Sequence, residues 1–107
     1  MKNYILKEKI PVAADNEKEF FSFMEKNKVI SRDTIGESMI STVFLGFDHG
    51  FGGTPLLFET MIFGGAHDGY QKRYTTYEEA EEGHEESVYL VSKIQVDRET
   101  RLSELGI

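Results

Sequence analysis

Apolar and charged residues alternate from Tyr4 to Ile10 and stop at Pro11, the period-two pattern of a half-buried strand. The period then changes. Asp15 precedes NEKEFFSFMEKNK, in which Glu17 and Glu19 stand at the start and Lys26 and Lys28 near the end. A cap followed by charges that oppose the helix dipole predicts a helix, with Phe20, Phe21, Phe23 and Met24 on one broad apolar face. Two strand-like runs follow, ESMISTVFLGF from Glu37 to Phe47 and LLFETMIF from Leu56 to Phe63, and the turn-forming DHGFGGTP between them predicts an antiparallel hairpin with a long loop. The turn GGAHDG leads into a third strand over Tyr70 to Tyr74. Thr76 with Glu79 forms a capping box that opens a helix over Tyr77 to Ser92, and QVDRETRLSELGI reads as the start of a strand and a short amphipathic helix.

This order predicts one α+β domain over residues 1–107, an antiparallel sheet of about four strands in the order βαβββα with both helices on one face. In the second strand of the hairpin one face carries Leu57, Glu59, Met61 and Phe63 and the other Leu56, Phe58, Thr60 and Ile62. Val43, Leu45 and Phe47 alternate likewise with Thr42, Phe44 and Gly46. Both faces are largely apolar, whereas a surface antiparallel sheet usually turns a polar face to water. Two helices of this length cover one side only, so the other predicts a homo-oligomer or a C-terminal tail wrapped across it.

Composition narrows the function classes. With 107 residues, 39% of them hydrophobic, the chain can bury a real core as a single domain. It has no cysteine, which removes disulfides, thiolate catalysis and zinc fingers together. The N-terminus lacks a signal-peptide pattern and no apolar run approaches the roughly 20 residues of a membrane span, so a soluble intracellular protein away from membranes is expected. Twelve basic against 19 acidic residues give a net charge of -7, a field that opposes direct nucleic-acid binding. A small phosphorylated ligand needs only two or three basic groups and stays open.

Two Asp-His pairs flank the strand Leu56 to Phe63: Asp48 with His49, and His67 with Asp68. A strand of that length holds its ends about 25 Å apart, while zinc ligands lie within about 2.2 Å of the ion. The pairs therefore share no metal within one chain, and no metal or other cofactor is expected. Each pair reads most simply as an Asx turn beside glycine, with Asp48, His49 and His67 left to line the rim of a ligand site. Glu59, on a strand with two apolar faces, needs a partner, and Lys72 or Arg73 on the next strand can supply it. His84 falls with Tyr77, Ala80, Val88 and Val91 at helical spacing and faces the core; no nucleophile in a strained turn accompanies it, so no catalytic residue is assigned. The run YEEAEEGHEES holds six glutamates, of which Glu78, Glu82, Glu85 and Glu86 lie away from the apolar stripe as a solvated face or, alternatively, a DNA-mimic surface. Tyr70 to Tyr74 is the one locally basic, aromatic-interleaved segment. There Lys72 and Arg73 suit phosphate, Tyr70, Tyr74 or Phe51 suit base stacking, and Glu59 suits a ligand donor.

Three blocks, TVFLGFDHGFG at 42–52, PLLFETMIFGG at 55–65 and RYTTYEEAEEGH at 73–84, resemble a family of small bacteriophage and prophage proteins with the pattern TVFLGxDH, LFETMxFGG and RYxTxxEAxxGH. Tyr77 stands where such proteins often have tryptophan. The resemblance implies a phage accessory protein acting in the host cytoplasm, similar to phage anti-defence proteins that sequester nucleotide immune signals. The expectation is thus a non-enzymatic homo-oligomer that binds a small anionic ligand such as a cyclic nucleotide. Its rivals are an acidic inhibitor docking on a host protein and a metal-dependent hydrolase with a site across subunits.

Overall fold

The computed structural model describes residues 2–50 and 52–104. Six strands and two helices form, in order, β1 (Tyr4–Lys7), β2 (Ile10–Ala13), α1 (Glu17–Asn27), β3 (Val29–Ile35), β4 (Ser38–Phe44), β5 (Phe58–Phe63), β6 (Gln71–Tyr74) and α2 (Tyr77–Glu104). The α+β class and the antiparallel arrangement are as expected, but the strands divide into a two-stranded sheet, β1-β2, and a four-stranded meander, β3-β4-β5-β6.

The single N-terminal strand of the sequence reading is a hairpin. Glu8 and Lys9 take φ of 51° and 70°, the two positive values that a type I′ turn demands, without the Asn-Gly pair that normally announces one. Pro11 does not end the ribbon, because it pairs with Leu6. Ala14 donates to Asn3 O, and Tyr4 N points outward to Gly46 O. Hydrogen-bonded and open pairs alternate along an antiparallel ladder, so Leu6 and Pro11 form an open pair that needs no proline N–H.

Helix α1 begins one residue later than its expected cap: Asn16, not Asp15, accepts from Glu19 N at 2.9 Å. Its apolar face is narrower than expected. Phe20 is buried and Phe23 and Met24 are half-buried, but Phe21 is 62% exposed. β3 was not anticipated; it joins β4 through a two-residue turn whose first position, Gly36, has φ 57°. Gly46, at φ 78°, stops β4 short of the expected Phe47. The capping box forms as expected, with Glu79 N donating to Thr76 Oγ1 and Thr76 N to Glu79 Oε1, both at 3.1 Å. Helix α2 does not stop at Ser92 but runs on to Glu104, so the expected strand start in the tail is absent.

Both helices lie on the same face of the meander. Ile40, Thr42 and Phe44 of β4 and Phe58, Thr60 and Ile62 of β5 are buried there beneath α2, and Phe23 of α1 meets Phe44 edge-on at 5.8 Å. Two apolar clusters result, one of Phe44, Leu57, Phe58, Tyr74 and Ala80, the other of Ile40, Ile62 and Val91. The opposite face is apolar along its middle, at Met39, Val43, Met61 and Phe63, and at Val29 of β3, which pairs with Val43. Cross-strand pairing borders these with Arg32 and Thr34 on β3 and Gln71 and Arg73 on β6.

Candidate functional site

Between the two apolar clusters lies a polar chain that is buried except at its Asp33 end. Thr42 Oγ1 is 2.6 Å from both Thr60 Oγ1 and His84 Nδ1, and His84 Nε2 is 2.7 Å from Asp33 Oδ2. Strand pairing puts Thr42 beside Thr60, and the helical spacing of Ala80, His84, Ser87 and Val91 points the imidazole down between them. Asp, His and a hydroxyl in this order evoke a nucleophilic triad. Thr42 is 0% exposed, however, and its oxygen is already shared between Thr60 and His84, so it offers an incoming carbonyl no surface. The chain instead satisfies a row of polar groups that burial would otherwise penalise.

Tyr74 closes the same face. Its ring lies on Gly83 of α2, where a Cβ would overlap Oη, Cζ and Cε1. Among the described residues the buried Oη makes no hydrogen bond of good geometry, and burial raises the phenol above its ordinary value, an effect the neighbouring Thr60 side chain partly offsets.

The sequence-derived candidates do not converge on one pocket. Asp48 is engaged in its own loop, accepting from Gly50 N at 2.8 Å and Leu56 N at 3.0 Å, and these backbone donors hold its carboxyl below the ordinary value. His49 beside it is exposed. His67 lies beyond the other end of β5, half-buried with Nε2 turned inward and without a partner among the described residues, while Asp68 caps Gly64 N at 2.7 Å. Tyr70, Lys72 and Tyr74 all point to the α2 side: Tyr70 packs on the cluster of Ile40, Ile62 and Val91, Lys72 reaches Glu86 at 3.9 Å and lies over the Tyr74 ring, and Tyr74 is itself buried. Buried in this way, Tyr74 cannot act as the expected stacking platform. Phe51 falls outside the described residues.

Glu59 and Arg73 meet on the opposite, open face. They are cross-strand partners, and Arg73 Nε donates to Glu59 Oε2 at 3.0 Å. Gln71 Nε2 donates to the same oxygen, which leaves the carboxylate 8% exposed beneath its two donors. Between the two expected partners, the strand register selects Arg73 over Lys72. The sequence reading missed Arg32, Ser41 and Gln71, which form one cross-strand row with Met61. Arg32 lies over Ser41 with a long 3.5 Å contact to its Oγ. Gly36 beyond VISRDTI was the signal that could have revealed β3, and with it Arg32.

Among the described residues no three His, Asp or Glu side chains are grouped so as to hold a metal ion, and no helix is long and apolar enough to cross a membrane. Comparison of the chain with models of known families, with curated proteins and with solved structures gave no match.

Proposed function

We propose that this protein binds a small phosphorylated ligand, without turning it over, on the open face of the meander. The observation that carries the reading is that Arg32 and Arg73 stand on the two edge strands of that face, on either side of Ser41 and Met61. Strands about 4.8 Å apart put the two arginine backbones roughly 16 Å from each other, a span their side chains can close over a ligand of nucleotide size. Glu59 does not oppose an anion here, because Arg73 and Gln71 cover it. Among the described residues the terminal guanidinium nitrogens of Arg73 make no hydrogen bond, which leaves them for phosphate. Met39, Met61 and Val43 offer an apolar floor on which a planar base can rest.

The resemblance to phage proteins supports an accessory role in the host cytoplasm and makes cyclic nucleotides of host immune signalling the first ligands to test. A melting screen against cyclic mono-, di- and trinucleotides and ADP-ribose tests the reading, since ligand at 100 times its dissociation constant adds about 2.7 kcal/mol. The upward shift seen with one class should vanish in Arg32→Ala and weaken in Arg73→Lys, which keeps a cation beside Glu59 but loses the planar fork. No shift with any compound refutes the proposal. A second reading, a protein partner on α2, is favoured by the shallow surface of Glu82, Glu85 and Glu86 around Tyr89, which is 70% exposed. It requires that reversing those three charges abolish activity while Arg32→Ala leaves it intact.

A further inference from the structure

Helix α1 holds a large aromatic ring in water beside a hole that such a ring would fill. Phe21 projects from one wall of an open cleft of about 620 Å³ lined by Phe20, Phe21, Met24, Glu25, Lys28 and Phe47. The floor of the cleft is fixed. Phe20 and Phe47 pack at 5.2 Å between centroids, and the Phe20 ring sits so close to Gly46 that a Cβ there would come within 2.7 Å of it. The cleft is open along its length, with Phe21 as a wall, which suits an elongated apolar partner better than an enclosed small molecule.

The charges of the helix say which partner. Glu17 and Glu19 lie in its first turn, Lys26 in its last, and Lys28 follows as the C-cap. A second α1 running the opposite way brings acidic ends against basic ends and opposes the two helix dipoles. One register satisfies the rings and the charges together. When Phe21 faces Met24 of a second copy, Glu17 faces Lys28 of that copy, and two-fold symmetry repeats both contacts.

We propose that α1 pairs antiparallel with α1 of a second copy, each Phe21 inserting into the other's cleft and each Glu17 meeting the other's Lys28. This moves self-association from the sheet, where the two apolar faces of the hairpin strands had suggested it, to the helix, and leaves the open face free. An 11-residue helix is about 16 Å long, and a pair of that size buries less than a standard interface of roughly 1,600 Å². The dimer is therefore weak and concentration-dependent.

Analytical ultracentrifugation from micromolar to millimolar concentration tests this. The parent chain should show a reversible monomer–dimer equilibrium. Phe21→Ser should raise the dissociation constant about thirtyfold or more, the scale of a buried aromatic anchor, while the monomer, which loses only the edge-on contact of Phe21 with Phe20, still melts cooperatively. Glu17→Lys and Lys28→Glu should each weaken the dimer, and the double swap should restore it. A monomer at every concentration overturns the proposal, as does a dimer indifferent to Phe21→Ser. A dimer broken instead by Phe63→Ser would put the contact on the open sheet face and overturn it equally.

Discussion

Replacing Gly83 with alanine should destabilise this protein, although the same change in most helix interiors does the opposite. Alanine is favoured over glycine by about 1 kcal/mol in an exposed helix interior. At Gly83 the added methyl would occupy the space of the Tyr74 ring. Forcing a methyl into a packed site costs about 1–3 kcal/mol, and displacing a buried aromatic side chain outright costs about 3–5 kcal/mol. Tyr74 is 5% exposed and belongs to the cluster with Phe44, Phe58 and Ala80, so it has little room to retreat. The expected net loss is about 2 kcal/mol, a large share of a typical domain stability of about 5–15 kcal/mol. The decisive arm is the background Tyr74→Leu, in which the ring is gone and Gly83→Ala should become stabilising by about 1 kcal/mol. Urea unfolding of the four chains, followed by helical circular dichroism, reads both signs. A stabilised single variant, or the same effect in both backgrounds, would refute the argument.

Three further predictions concern the elements that set up the site. Thr42→Val preserves shape but strips His84 Nδ1 and Thr60 Oγ1 of their shared partner, so the urea midpoint should fall by the equivalent of about 1–3 kcal/mol; an unchanged midpoint contradicts the buried chain. Thr76→Ala removes a cap that accepts from Glu79 N and should cost about 1 kcal/mol, measured by the same unfolding curve. Asp48 titrates below its ordinary value of 3.8 because Gly50 and Leu56 donate to it. Its stabilising contribution is complete above that value and is lost as pH falls through the lower, folded-state pKa. The stability gap between the parent chain and Asp48→Asn should therefore narrow as pH falls below 3.8; a gap independent of pH would assign Asp48 no such role.

The parts of the fold legible in the sequence were those whose signal is local. The acidic start and basic end of α1, the Thr76–Glu79 box and the alternation of β5 each announce an element within a few residues. What stayed hidden depends on partners. The Glu8–Lys9 turn takes positive φ without glycine, and β3 reads VISRDTI, with a polar middle that is understandable only once Asp33 is seen against His84 and Arg32 over Ser41. For the site, the Glu59–Arg73 pair was legible because adjacent antiparallel strands limit the choices to two. Tyr74 was misread as a stacking platform and Lys72 as a partner of Arg73 on one ligand face because period-two alternation separates the faces of a strand without saying which one a helix covers. The register of β6 on β5 decides that: it pairs Arg73 with Glu59 on the open face and Tyr74 with the buried Phe58.

We propose that the open face between Arg32 and Arg73 takes a phosphorylated ligand. The most direct test is a two-dimensional amide NMR titration with whichever cyclic nucleotide most raises the melting temperature. Shifts should concentrate at Arg32, Ser41, Met61, Gln71 and Arg73, with Ala80 to Glu86 of α2 unmoved. Shifts centred on α2, or no saturable shift with any nucleotide, would contradict it.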